Sequence, residues 1–232
     1  IADYNEAANA QMIKIPETSK PIDACLGEPM MCVANIVRAV EPKMGDRIAV
    51  IGCGFMGLMV IAGLKSQALG DIVAIDLDEK RLEMAVQYGA TKTLNPKNVD
   101  VEDASFELTH GRMYDCIVEI TGSLRGLQTA LSVAKISGRG KILAPSVYSK
   151  NETWTEEMAY NMMYRSPIIH VVHPYYTNEY MYTLGIGVDA YVKGVFPTEE
   201  FITHRIPFER VSEGFQLLDT NPPGYIKGII TF

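Results

Sequence analysis

The chain has 232 residues, 47% of them hydrophobic, and sets 21 Lys and Arg against 28 Asp and Glu for a formal charge of −7. A chain of this length buries roughly 70–75% of its unfolded surface, so a substantial core is expected, as one large domain or two small ones. The balance offers no basic stripe for nucleic acid and no polybasic run for a membrane surface, and no apolar stretch reaches the roughly 20 residues that span a bilayer.

The sequence opens IADYNE, with no Met and no signal-peptide pattern, and is expected to be a piece of something longer. Residues 1–21 read as polar and irregular. Residues 22–39 read as helix in two pieces around Gly27-Glu28-Pro29, and EPKMGD gives a turn through Pro42 and Gly45. From Arg47 short apolar runs alternate with amphipathic stretches. RIAVIG (47–52) reads as a strand buried on both faces, GLMVIAGLKSQALG (57–70) as a helix stopped by Gly70 at C′, and DIVAID (71–76) as a second strand. DEKRLEMAVQYG (78–89) reads as a helix capped by Asp78 and stopped by Gly89. KTLN (92–95) is a third strand, followed by helix over 100–110, strand over 114–122, helix over 124–138 and strand over 140–146. Such alternation predicts an α/β fold, a doubly wound parallel sheet with right-handed crossovers. Beyond Lys150 the rhythm is less regular. We read helix at 154–166, its Met cluster a packed face, strand at 167–172, a broken helix over 177–194, an edge strand at 200–208, helix at 209–220 and a final strand at 224–232.

The most informative residues are Gly52-Cys53-Gly54-Phe55-Met56-Gly57, a G-x-G-x-x-G that follows a predicted strand and opens a predicted helix. Asp76 ends the next strand, 19 positions past Gly57. In that context the three glycines differ in role. Gly52 makes the tight turn, Gly54 lets backbone approach a pyrophosphate, and Gly57 lets the helix pack close to the sheet. The helix start, with its free N–H groups and positive dipole end, faces the phosphates. Asp76 would accept from the ribose hydroxyls and repel a 2′-phosphate, favouring NAD over NADP. The same residues leave room for another adenosine ligand such as S-adenosylmethionine, or for a tight βα turn alone. Thr121 and Gly122 end a parallel strand at the carboxyl edge, where ligands bind in such sheets. The four cysteines, Cys25, Cys32, Cys53 and Cys116, form no C-x-x-C pair and read as reduced thiols, which points to the cytoplasm.

KMGDRIAVIGCGFMGLM, AIDLDEKRLEMAVQYGA and FITHRIPFERVSEGFQLL together resemble the zinc-type medium-chain dehydrogenases, which include alcohol, sorbitol and threonine dehydrogenases. The resemblance runs from about Asp23 to Phe232 and is weakest over 145–200. It implies a remnant of a catalytic domain at 1–38, an NAD-binding Rossmann domain at 39–172 and a segment returning to the catalytic domain at 173–232. It implies hydride transfer between NAD and a small alcohol or polyol, zinc in the full-length enzyme, and a homodimer or homotetramer paired through the sheet edge near 167–172. Carried over residue by residue, it places Glu28, in a Glu-Pro pair 24 positions before Gly52, at or near the catalytic zinc. It sets Arg81 beside the adenosine, Thr121 and Gly122 bordering that side, the segment of Val171 to His173 against the nicotinamide amide, and Lys227 on the pyrophosphate. It makes His204 structural. The family's zinc-binding Cys and its Gly-His-Glu motif do not occur here, so the chain alone is expected to bind NAD and to turn over poorly. A zinc-free NAD(P)H-dependent reductase of the same superfamily and a non-enzymatic NAD(H)-sensing module are the alternatives.

Overall fold

The computed structural model describes residues 13–136, 140–173 and 180–232. A 3₁₀ turn at Ile22–Ala24 precedes α1 (Gly27–Val40). Strands and helices then alternate as β1 (Arg47–Ile51), α2 (Phe55–Leu64), β2 (Asp71–Ile75), α3 (Glu79–Tyr88), β3 (Lys92–Leu94), α4 (Val101–Leu108), β4 (Cys116–Glu119), α5 (Leu124–Val133), β5 (Lys141–Leu143), α6 (Glu156–Arg165) and β6 (Ile168–His170). The remainder is α7 (Tyr180–Val192), α8 (Thr198–Phe201), β7 (Ile202–Pro207), a 3₁₀ turn at Phe208–Arg210, α9 (Val211–Thr220) and β8 (Lys227–Thr231). Residues 36–173 form one compact unit, and the described residues before 36 and after 173 form a second.

The first unit is a six-stranded sheet in the order β3-β2-β1-β4-β5-β6, with every pairing parallel. The chain runs outward from β1 to β3 and then returns to the other side of β1. The strand order therefore reverses between β1 and β4, and a crevice opens there at the carboxyl ends of the strands. Continuous burial of Ile48–Ile51 and Ile72–Ile75 follows from their apolar, β-branched composition, since both faces of a parallel sheet are covered by helices. α2 is apolar all round and buried except at Met56, as a helix wedged deep against the sheet must be. A cluster of Ala49, Ile51, Val73, Tyr114, Ile117, Leu127, Leu131, Ile142 and Met158 joins sheet and helices into one core. The buried Arg165 donates to the Ala134 carbonyl at 2.9 Å and pairs with Glu102, which ties the end of α6 to α5 and α4.

In the second unit β7 and β8 pair in parallel, with His204 opposite Gly228. Gly214 of α9 faces this pair, and a Cβ there would lie 3.2 Å from Ile230 Cδ1. Lys20 holds its ammonium 4.9 Å over the Tyr191 ring and pairs with Glu199, while the Tyr191 hydroxyl donates to the Pro21 carbonyl at 2.6 Å. His204 is half-buried within β7, its Nδ1 2.9 Å from Thr203 Oγ1.

Several boundaries differ from the sequence reading. The break before α1 falls at Cys25–Leu26, and Pro29 sits inside the first helical turn, where no intrahelical N–H bond is lost. Gly70 is not the C′ residue of α2, which ends at Leu64; its N–H donates to the Asp46 carbonyl at 2.8 Å, and a Cβ there would come within 2.6 Å of the Gly45 carbonyl oxygen. The strands expected over 114–122 and 140–146 shorten to Cys116–Glu119 and Lys141–Leu143, their ends becoming turn and loop. The helix expected to be broken over 177–194 is continuous over Tyr180–Val192. Its Gly187 lets two helices meet, a Cβ there falling 2.8 Å from the Met30 backbone. α8 occupies the start of the predicted 200–208 strand, and the 209–220 helix begins with a 3₁₀ turn. Of the Met cluster only Met158 is in the core, while Met162 and Met163 are exposed. The first part of the 1–21 segment, the end of the 124–138 helix and the start of the 177–194 helix lie outside the described residues.

Asp115 accepts from Arg47 N–H at 2.9 Å and Lys135 Nζ at 2.6 Å. Burial alone would raise its carboxyl, but these donors outweigh burial and hold it below the ordinary carboxylate range. A depressed folded-state value contributes stability above the unfolded value, and that contribution is lost as pH falls through the folded one. Asp115→Asn is therefore expected to lower the thermal midpoint at pH 7, with the gap to the parent closing below about pH 4, as differential scanning calorimetry across pH would show. Ile142→Ala, in the fully buried cluster, is expected to cost roughly 2–5 kcal/mol by urea unfolding.

Candidate functional site

The turn from β1 into α2 runs against the end of β4. Gly52 has φ +97, a conformation that favours glycine, and its N–H donates to the Ile75 carbonyl at 2.8 Å. A Cβ on Gly57 would lie 1.9 Å from the Gly52 carbonyl oxygen, so only a bare Cα lets the first turn of α2 close onto the turn before it. Gly54 is different: its backbone is extended, and a Cβ there would meet nothing within 4 Å. The first and third glycines are thus required by packing within the protein, while the second faces open space. Phe55 is buried and Met56 half-buried as they begin α2.

The helices that follow β1 to β5 all start at the carboxyl edge of the sheet. α3 is capped by Asp78, which accepts from Lys80 N–H and Arg81 N–H. α4 is capped by Asp100, α5 by Ser123 and α6 by Thr155, each accepting a backbone N–H of its first turn. At the start of α2 Gly54 supplies no side chain, and no side-chain cap is made. The positive end of this helix dipole therefore meets no capping side chain from Gly54.

Asp76 follows β2 directly. Its Oδ2 accepts from Cys53 N–H at 2.6 Å and its Oδ1 from Asp78 N–H at 2.9 Å, so the carboxylate is held at the glycine turn and retains acceptor capacity. Arg81 lies in the first turn of α3, and its charge is felt at the Cys53 thiol. That thiol is fully buried, and burial pushes it above the usual thiol range, which makes it an unreactive part of the turn. On the other side of the crevice Thr121 donates through its N–H and Oγ1 to Glu119 Oε1, at 2.8 and 2.5 Å. Its Cγ2 lies 2.9 Å from where a Gly52 Cβ would stand, and Gly122 has φ +74.

The fold thus brings together Gly52, Gly54, Phe55, Met56, Gly57, Asp76, Arg81, Thr121 and Gly122 around one crevice. Val171 lies just past β6, exposed beside the outermost strand of the sheet. Lys227 opens β8 in the second unit. Glu28 lies in the first turn of α1, where its Oε1 accepts from the Cys32 thiol at 3.0 Å. Burial, joined by that contact, raises the Cys32 thiol to about 12. Among the described residues no three His, Cys, Asp or Glu side chains converge in a way that could hold a metal ion. Sequence reasoning missed Glu119, Tyr148 and Glu152. The signal for Glu119 was an acid inside the apolar run CIVEI; Tyr148 and Glu152 carried none, because they lie in an irregular loop.

This fold defines the class as Rossmann-like α/β proteins with a doubly wound parallel sheet. The family model for zinc-binding dehydrogenases matches residues 56–165. The chain is 28% identical to L-threonine 3-dehydrogenase of Bacillus licheniformis over 94% of its length and 60% of the relative's. It is 27% identical to S-(hydroxymethyl)glutathione dehydrogenase of Saccharomyces cerevisiae, over 93% of this chain and 56% of that one. Among solved structures an Escherichia coli oxidoreductase of unknown specificity superposes with a TM-score of 0.80 at 25% identity, covering 94% of this chain and 60% of that one. Over these stretches the chain is similar to the zinc-type medium-chain dehydrogenases. It spans about three-fifths of the length of these relatives.

The glycine geometry makes a direct prediction. Gly57→Ala forces backbone apart and is expected to lower the thermal midpoint by several degrees, whereas Gly54→Ala, with open space and a permitted φ of −71, should leave it unchanged. Circular dichroism melts of the two variants check this.

Proposed function

We propose that this chain is the NAD-binding portion of a dehydrogenase that moves hydride between NAD and a small alcohol or polyol. The observation that supports it best is the contrast within the glycine loop. Gly52 and Gly57 are bare because the protein itself fills the space, while Gly54 is bare where nothing stands. An uncapped helix start and a held carboxylate flank that opening, and a diphosphate with its ribose suits both. In this reading the Gly54–Gly57 backbone meets the diphosphate. Asp76 grips the adenosine ribose, Arg81 lies alongside the adenosine, Thr121 and Gly122 wall the crevice, and Val171 borders the nicotinamide. NAD supplies the two-electron hydride acceptor when bound, and the protein's part is to bind and orient it.

The described residues do not fit a zinc site. Glu28 is a single carboxylate engaged with Cys32, and zinc takes four ligands. Zinc chemistry and most of the alcohol pocket are accordingly assigned to the part of the longer relatives that this chain does not match. The chain alone should therefore bind NAD and oxidise alcohols poorly.

No helix among the described residues is long and apolar enough to cross a membrane. The four free thiols, with Cys53 and Cys116 buried, suit a reducing cytoplasm. The outermost strand β6 leaves Ile168 and Ile169 exposed on the edge of the sheet, which favours pairing with a second copy across a two-fold axis.

Calorimetric titration with NAD and NADP tests the central reading. The parent should prefer NAD. Asp76→Ala should lose that preference and some NAD affinity, because Cys53 N–H and Asp78 N–H also lose their acceptor. Gly54→Ala should weaken NAD at least about tenfold while folding normally. Equal binding of both cofactors by the parent, or brisk alcohol oxidation by the purified chain, would overturn the reading. Light scattering should return a dimer or larger, and a monomer would count against the edge pairing.

A further inference from the structure

Glu119 is the last residue of β4, opposite Ile51 at the end of β1, and it has no exposed surface. The hydrogen bonds it accepts come from neutral groups: Thr121 N–H and Thr121 Oγ1 on one carboxylate oxygen, and the Tyr148 hydroxyl on the other. Among the described residues it forms no salt bridge. A buried carboxyl without a cation is a poor choice for stability, since an apolar residue of similar volume avoids the desolvation cost. Gly126 makes room for it: a Cβ there would lie 2.5 Å from Glu119 Oε1 and 2.2 Å from Thr121 Oγ1.

The contacts lead to the glycine turn. Tyr148 comes from the loop after β5, with its ring packed on the main hydrophobic cluster. Its hydroxyl holds Glu119, and Glu119 holds both donors of Thr121. Thr121 in turn lies against Gly52, and the neighbouring Ile120 donates its N–H to the Ile51 carbonyl at 2.9 Å. The same loop reaches the turn a second time, because Glu152 accepts from Leu124 N–H at the start of α5. Gly122 lies close to that loop as well, a Cβ there falling 3.3 Å from the Val147 carbonyl oxygen.

We propose that Glu119 and Tyr148 are positioning residues for the dinucleotide: together they hold the 120–122 turn against Gly52 and so set the wall of the crevice where the diphosphate crosses from β2 to β4. The inference rests on the NAD-binding reading. Neither residue needs to touch the cofactor; each acts through Thr121.

The test uses the full chain and four measurements on each variant: the unfolding midpoint, and calorimetric affinity for NAD, ADP-ribose and AMP. The Glu119→Met/Tyr148→Phe double variant removes both partners and leaves no orphaned carboxylate or phenol, so its midpoint should equal or exceed the parent's. Its affinity for NAD and ADP-ribose should fall about tenfold, while AMP, which lacks the diphosphate, should lose less than about threefold. Tyr148→Phe alone, a milder change should the double variant not fold, should show the same pattern at a few-fold. Glu119→Gln should restore most of the affinity, because its amide oxygen can accept from Thr121 and its N–H can be taken by Tyr148. Parent-like NAD affinity in the variants, or an equal loss for AMP, would overturn the positioning role while leaving NAD binding in place. A parent chain that binds no dinucleotide would overturn both.

Discussion

The structure depends on one steric fact: the first turn of α2 closes onto the carbonyl of Gly52 with no room for a side chain at Gly57. Everything at the carboxyl edge is arranged around that closure. It brings the start of α2 to the end of β1, directs the helix dipole at the crevice, and leaves bare backbone at Gly54 facing it. An all-apolar α2 then buries itself against the sheet, so the helix that presents the crevice is also part of the core. The shape of the crevice and the folding stability rest on the same few atoms.

The other helix starts along that edge are closed by side chains. Asp78, Asp100, Ser123 and Thr155 each use a side chain to satisfy the first turn of their helices, so the positive ends of α3 to α6 are met internally. The start of α2 is the exception within the series, and it coincides with the topological switch point between β1 and β4. A buried carboxyl, Glu119, stands on the opposite wall of the same crevice, held by a tyrosine from the next loop. A fold built only for stability would have placed a leucine there.

Residues 36–173 carry this architecture, and the family match to zinc-binding dehydrogenases, over 56–165, falls within the same segment. The second unit contributes a two-stranded parallel pair and α9, whose faces retain large exposed apolar side chains such as Phe215 and Leu218.

Much of the crevice was legible in the residues themselves. Glycine at 52 and 57, the acid at 76 and the caps at Asp78 and Gly89 each express a local rule, because backbone freedom, close approach and first-turn hydrogen bonding depend on neighbours a few positions away. The alternation of apolar runs and amphipathic stretches likewise specified a parallel sheet, since burial on both faces demands it. Long-range contact decided the rest. Gly70 resembled a helix stop and proved to be a packing residue against the Gly45–Asp46 turn, and Gly187, within the stretch expected to be a broken helix, proved to be a crossing point for two helices. The pairing of Tyr148 with Glu119 joins residues 29 apart through a loop of no regular pattern. Periodicity and spacing report what a residue does within its own element; which distant atom meets a bare Cα or a buried carboxyl is settled only when the elements pack.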